Sequence, residues 1–526
     1  QPITMTRASA GTRVNSSGLV ETVELLGSEL VVNGDFATDT DWVKQNGSTI
    51  SGGVGNVVAN GEINSTGGNW SLNQVNIFAY NITYKVNFKA RQTGGTGNFQ
   101  VGQGYQKGFD QTITSAFVEY SFYITGTSVS GNANDFKISI GGATIGDTFE
   151  IDNVSVKEST QNNLARVDYD GTASSLLVEP ERINLVTYSE AFDNAYWTKS
   201  GASVVSGFTS PDGTDNAFKL VEDTSTGSHR MSNAAAITQA TDYSISFIAK
   251  QGERKYIACG IRYNSTNGSY AQFNLDTGLV ESTNAIFTAG VFSVSNAKIT
   301  QLADGYYLCS ATFNSDRAGV VMAFAMSDIP FVGGNIDTHT YTGDGTSGVY
   351  IWGAQLEVGS YPTSYIPTDG GTVTRVADQY SKTGISNLIN SEEGVLFVEM
   401  AALPQTGRIS LSDGTSTNRI SFKFTPTNID FQYRVSSSYS YRVDVDLDTS
   451  INHKIAMSFD NGSFVGYLDG NPIGSIITGA SLPANTLNSL QLNDGASADY
   501  FFGKVKQLQV FKTALTDTEL ATLTTI

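Results

Sequence analysis

Apolar residues recur at every second position in short runs along most of this chain, the spacing of half-buried β-strands. Tyr84-Lys85-Val86-Asn87-Phe88-Lys89-Ala90 is a clear case. GVLFVEM (394–400), RISLSD (408–413), RISFKF (419–424), HKIAMSF (453–459) and FFGKVKQLQVF (501–511) repeat the pattern toward the C-terminus. Phe464-Val465-Gly466-Tyr467-Leu468-Asp469-Gly470 reads as a strand entering a tight turn, with glycine supplying the positive φ. One short helix is predicted at 516–523, where Thr516 or Asp517 can cap the N-terminus and Glu519 sits in the first turn. The fold class is therefore all-β.

The alternation also repeats at longer range. TYKVNFKARQ (83–92) aligns without a gap on DYSISFIAKQ (242–251), so that Tyr84, Val86, Phe88 and Ala90 meet Tyr243, Ile245, Phe247 and Ala249. Upstream, Leu30-Val31, Phe36 and Trp42 match Leu185-Val186, Phe192 and Trp197 at nearly the same offset. Two separated strands with near-equal offsets argue for two copies of one fold. The second copy carries longer loops, where binding function usually resides. These signals predict three tandem jelly-roll or β-sandwich domains, at 24–160, 161–370 and 386–526. Residues 1–23 read as an extended polar arm lying against another part of an assembly. Residues 371–385 read as a linker, following the Gly370-Gly371 pair.

A chain of 526 residues exceeds one core, and its 54 glycines with only 15% charged residues suit many short strands and turns. The net charge of −19 repels nucleic acid and anionic membrane, so neither is an expected partner. No run approaches the roughly 20 apolar residues of a membrane-spanning helix. A start at Gln1 suggests trimming or a missing upstream segment. Cys259 and Cys309 lie in strand-like runs, where buried free thiols and a disulfide both remain open. Three scattered histidines and the absence of any nucleophile-elbow, zinc or phosphate-loop motif argue against catalysis. The alternate carboxylates Asp444, Asp446 and Asp448 share one side of a strand, which suits solvent or a cation better than an acid/base pair.

Sugar binding has better candidates. Aromatic faces stack on the apolar faces of pyranoses while Asn, Asp and Arg bond their hydroxyls. Trp70 in TGGNWSLNQ and Tyr105 in VGQGYQKGF sit in loop contexts, whereas Trp42, Trp197 and Trp352 occupy repeated or strand positions expected in a core. In FQYRVSSSYSYR (431–442), Tyr433, Tyr439 and Tyr441 with Arg434 and Arg442 fit either a lectin surface or half-buried β packing. Asp413 and Asn418 flank a Gly/Ser/Thr loop and are candidate cation ligands.

Three stretches carry a family resemblance. Residues 163–199 (NLARVDYDGTASSLLVEPERINLVTYSEAFDNAYWTK) resemble the head of a β-sandwich module common in tailed-phage head-fibre, tail-fibre and appendage proteins. Residues 5–23 resemble the segment that normally precedes its R-x-D-Y-D turn, and residues 349–378 its closing strand and exit. The intervening module is then an insertion. Its opening ELVVNGDFATDTDWVK and closing FEIDNVSVKE resemble family-4/9 carbohydrate-binding modules. That resemblance implies a structural Ca²⁺ held by Asp152 opposite Asn33 and Asp35, the alternative being that Asp152 only caps a turn. The last domain is similar to concanavalin-A-like, laminin-G-type lectin sandwiches. Together these resemblances imply a non-enzymatic homo-oligomer, a trimer, on a virion surface. Its implied partners are host cell-surface glycans and, through the arm, other virion proteins. A purely structural virion component, a polysaccharide depolymerase and a secreted bacterial adhesin are the alternatives.

Overall fold

The computed structural model describes residues 3–45, 47–59, 70–104, 106–127, 134–141, 147–234, 237–287 and 291–526. The chain forms two compact units, one of Glu24–Gln161 with Val204–Lys219, the other of Gln1–Val23, Asn162–Ser203 and Leu220–Ile526. Nearly every described element is a strand, and the one α-helix, Asp517–Thr524, carries the expected capping box between Thr516 and Glu519.

In the first unit, strands Val118–Thr125, Thr83–Gly94, Thr148–Thr160, Val54–Val58 and Thr49–Ser51 form one antiparallel sheet, with Leu25–Glu29 also pairing to Thr148–Thr160. The facing sheet runs Gln106–Gln111, Asn98–Gln103, Phe136–Gly141, Leu72–Gln74, Val43–Lys44. Tyr84, Val86, Phe88 and Ala90 point inward as their alternation requires, against Phe99, Phe136 and Trp42.

The second unit holds the other copy of that fold. One of its sheets runs Thr198–Ser200, Arg230–Ala234, Val321–Ser327, Tyr256–Asn264, Asn267–Asn274, Leu279–Ile286. Facing it, Tyr243–Gln251 pairs with Tyr306–Ser315 and Gly348–Val358. The two copies agree down to single hydrogen bonds. Trp42 Nε1 donates to the Asn33 carbonyl and Trp197 Nε1 to the Tyr188 carbonyl, both at 2.9 Å and both nine residues back. The Tyr84 hydroxyl accepts the Ala79 amide at 2.8 Å and the Tyr243 hydroxyl the Thr238 amide at 2.9 Å, both five residues back. Both closing strands bulge at a residue of positive φ, Asn153 at 53° and Gly353 at 65°. Cys259 and Cys309 are buried free thiols in this core.

The C-terminal sandwich packs two seven-stranded sheets. The first runs Thr4–Thr6, Gln379–Lys382, Ser489–Gln491, Gly407–Ser412, Arg419–Thr425, Asn428–Val435, Ser438–Asp446. The second runs Arg166–Asp170, Ala173–Val178, Gly503–Phe511, Glu393–Ala402, His453–Asp460, Ser463–Leu468, Asn471–Thr478. Several segments therefore lie elsewhere than their sequence suggested. The arm is folded onto its own chain: Thr4–Thr6 pairs with Gln379–Ser381, Met5 enters the core, and Thr12–Val14 and Val20–Thr22 form a hairpin. The segment read as a linker contributes an inner strand, and the R-V-D-Y-D turn with its Leu176-Leu177-Val178 run supplies two strands of the C-terminal sandwich.

A buried ionic knot explains why the three resembling stretches carry their charged residues. Arg7 meets Asp378 at 2.7 Å, Arg166 meets Glu179 at 2.7 Å and also Asp378, and Arg375 meets Glu179 at 2.9 Å. The Ser364 amide and hydroxyl donate to the same Glu179 carboxylate at 2.7 Å. Burial alone would push the Glu179 carboxyl up, but Arg375 and Arg166 outweigh it and hold it at about 2.

Candidate functional site

In the first C-terminal sheet one phase of the alternation faces the core: Ile409 and Leu411, Ile420, Phe422 and Phe424, Ile429 and Phe431. The other phase is polar, and the strand register aligns it into rows. Ser412, Arg419 and Arg434 form one row, Ser410, Ser421, Gln432 and Arg442 the next, and Arg408, Lys423, Asp430 and Asp444 the third. Residues 493–499 close over this face. Ser410 Oγ donates to the Asn493 carbonyl at 2.7 Å, Arg419 Nη1 to the Asp494 carbonyl at 2.9 Å, and Arg408 Nε pairs with Asp499 at 2.9 Å. Arg442 spans to Asp430 at 3.1 Å and to Asp444 at 3.4 Å.

The face is polar yet incompletely bonded. Arg419 Nε, Ser421 Oγ, Asp430 Oδ1 and Arg434 Nε are all buried and have no hydrogen-bond partner. A buried polar atom left unpaired costs about 1–3 kcal/mol, so such atoms call for ordered water or another partner that the chain does not supply. From the Arg419 row to the Lys423 row they run about 13 Å at the usual strand rise. Burial drives the Asp430 carboxyl upward. Burial, with Arg408 and Arg434 close by, drives Arg419 down to about 10.

At one end of this face Tyr439 is 45% exposed. The Arg434 guanidinium lies 5.1 Å and the Arg442 guanidinium 5.3 Å from its ring centroid. The hairpin that presents it turns through Ser436 at φ 50° and Ser437 at φ 70°, a left-handed pair that Asn-Gly would adopt more easily. The turn is held from outside, because the Ser436 amide donates to Asn418 Oδ1 at 2.8 Å and the Ser437 amide to the Thr417 carbonyl at 3.0 Å. Ser436→Asn with Ser437→Gly therefore raises stability by about 1 kcal/mol, read as a higher midpoint of urea unfolding.

Of the tyrosine run that fits either a lectin surface or β packing, Tyr433 and Tyr441 are core residues, which corrects their place among the sugar-binding candidates. They are register partners with 0% and 1% exposure, and the Tyr433 ring lies 4.3 Å from that of Phe464. A bulge after Tyr433 reverses the phase and puts Tyr439 outside with Arg434. Trp70 is buried at 9% exposure rather than displayed, and Tyr105 lies outside the described residues. Trp42, Trp197 and Trp352 are buried, as expected. Arg442 was singled out with the tyrosine run, whereas Arg408, Arg419, Ser421, Asp430 and Gln432 were not. The signal there is a polar phase, Arg and Ser in RISLSD and RISFKF and Asp430 and Gln432 in NIDFQYRV.

The residues at the expected calcium corner are engaged by their own chain. Asn33 spends its side-chain oxygen on the Thr38 amide at 3.2 Å and its carbonyl on Trp42 at 2.9 Å. Asp152 caps the Asn153 amide at 2.7 Å, and Asp35 accepts the Ala37 amide at 3.4 Å. The tie between opening and closing strands is made instead by Glu29, whose carboxylate accepts the Val156 amide at 2.8 Å and the Ser155 hydroxyl at 2.6 Å. Asp413 and Asn418 do meet, at 2.8 Å, but as a turn staple: Asp413 also accepts the Thr415 amide and hydroxyl. Among the described residues no group of three or more His, Cys, Asp or Glu could hold a metal ion.

The histidines occupy structural positions. His453 bridges Asp469 at 2.7 Å and the Asp448 carbonyl at 2.9 Å, and His339 stacks on Phe331 at 4.6 Å. His229 is buried against the Gly201 and Tyr341 carbonyls at 2.5 and 3.2 Å.

Comparison with known proteins gives a partial assignment. No curated protein matches the chain. Among solved structures, the Ruminococcus gnavus IT-sialidase CBM40 is 17% identical, covering 26% of this chain and 84% of its own, at TM-score 0.23. The CBM22-1–CBM22-2 tandem of Paenibacillus barcinonensis Xyn10C is 12% identical, covering 63% and 98%, at TM-score 0.22. The mouse laminin α1 LG4–5 domains are also 12% identical, covering 68% and 96%, at TM-score 0.19. Superpositions this loose carry no argument. Residues 395–521, which hold most of the polar face and the strands packed against it, match the family described as the concanavalin A-like lectin/glucanases superfamily.

Proposed function

We propose that this chain is a non-enzymatic glycan-binding protein and that its binding surface is the polar face of the C-terminal sandwich. The observation that carries the reading is the group of four buried, unpartnered polar atoms over three rows, Arg419 Nε, Ser421 Oγ, Asp430 Oδ1 and Arg434 Nε, beside the exposed Tyr439 ring. Sugar hydroxyls supply donors and acceptors to such atoms, and an aromatic flank covers a ring face. The lectin-superfamily match over 395–521 supports the same class.

The setting we propose is the surface of a tailed-phage particle, as a head fibre, decoration or tail fibre that attaches to host glycans. Support comes from the resembling stretches, whose charged residues Arg7, Arg166, Glu179, Arg375 and Asp378 meet in one buried knot. With Thr4–Thr6 paired inside its own sandwich, contacts to other virion proteins fall to other surfaces. Each site binds weakly, and several copies on one particle raise the avidity.

The test is adsorption of purified protein to candidate host cells before and after periodate oxidation of their glycans. Binding is lost on oxidation and survives EDTA. Equal binding to oxidised cells would contradict a glycan receptor.

A further inference from the structure

We infer that the Arg419–Arg434 end of the polar face is a subsite for an anionic substituent of the bound glycan, a sugar carboxylate or a sulfate ester. The inference rests on the glycan-binding reading and goes further by naming the charge of the ligand. Arg419 and Arg434 are direct partners across adjacent strands, an arrangement in which like charges repel. Arg419 is almost wholly buried, so its charge has lost water as well.

The neighbouring acids do not resolve that repulsion. Asp499 pairs with Arg408, while Asp430 and Asp444 pair with Arg442. Asp413 is occupied by Thr415 and Asn418. Asp494 approaches Arg419 only to 3.8 Å. Arg434 forms no ion pair among the described residues, and its terminal nitrogens donate to the Ser416 and Ser437 carbonyls at 3.2 and 2.7 Å. The Nε atoms of both arginines are buried without a partner. Two guanidiniums with spare N–H groups and one distant carboxylate between them form a receptor for an oxyanion. The surplus is local, because the chain as a whole carries −19. An acidic polymer would otherwise be repelled by that net charge, so the subsite also selects where such a polymer docks.

Binding to three immobilised probes tests this: an oligogalacturonate, the same oligomer with its carboxyls reduced to alcohols, and a sulfated neutral oligosaccharide. The native protein binds one of the charged probes at least tenfold more tightly than the reduced one, and the stronger of the two identifies the anion. Arg434→Gln, at a partly exposed strand position, abolishes that preference, so that charged and reduced oligomers bind alike. Arg419→Gln does the same, with circular dichroism confirming its fold. Equal binding of all three probes, or binding of none by a protein that still loses periodate-treated cells, overturns the anionic subsite and leaves the glycan reading standing. Undiminished binding to periodate-treated cells overturns both.

Discussion

Replacing Glu179 with glutamine is expected to lower stability by about 3–5 kcal/mol, because it strands the buried Arg375 guanidinium and leaves Arg166 with Asp378 alone. Arg375 pairs with this carboxylate and Arg166 with it and Asp378, and both are themselves 1% and 0% exposed, so neither can turn to water for compensation. Removing a partner from a buried pair costs far more than the pair contributes when intact. The same group sets an acid limit. Its carboxyl lies at about 2 against an ordinary value of 4.5. A folded value below the unfolded one means that the stabilisation is fully present above about pH 4.5 and is lost as pH falls toward 2. The gap corresponds to about 3 kcal/mol at 1.36 kcal/mol per unit. Urea unfolding followed by the emission of Trp197 and Trp352 should show that slope in the native protein and none of it in Glu179→Gln. A variant whose midpoint and pH slope both match the native protein would contradict the knot's role.

Tyr439→Ala is expected to weaken glycan binding by about tenfold to a hundredfold, the loss of a stacked aromatic platform worth roughly 1.5–3 kcal/mol when a ring covers it. Stability should change little, since the side chain is 45% exposed and lies against the two flanking guanidiniums. Tyr441→Phe, two residues along the strand, is the control: that ring lies in the core, so binding should be unaffected. Measured on whichever oligosaccharide binds the native protein, an unchanged affinity for Tyr439→Ala would remove the aromatic flank from the site.

Much of the fold was legible in the alternation. Tyr84 and Tyr243, or Trp42 and Trp197, could be aligned because large aromatics in repeated strands occupy equivalent core positions and make the same hydrogen bonds. The arm was not legible as a sheet strand. Thr4–Thr6 is three residues long with only Met5 pointing inward, and what makes it a strand is its partner Gln379–Ser381, far away in sequence.

The tyrosine run misled for a local reason. Ser436 and Ser437 turn the chain with neither Gly nor Asn to mark the place, and the bulge beside Tyr433 shifts the alternation, so neighbouring tyrosines face opposite ways. The polar face itself was half legible. Its residues occupy the outward phase of RISLSD and RISFKF, but their burial depends on residues 493–499 closing over them. No periodicity reports a loop arriving from elsewhere in the chain.

The central claim is that glycan is bound on the polar face between Arg408 and Tyr439, and a crystal structure with a bound oligosaccharide tests it most directly. The account predicts a sugar ring against Tyr439 with its hydroxyls within hydrogen-bond distance of Arg434 and Arg442, the accessible edge of the face. Sugar bound at another surface would contradict it.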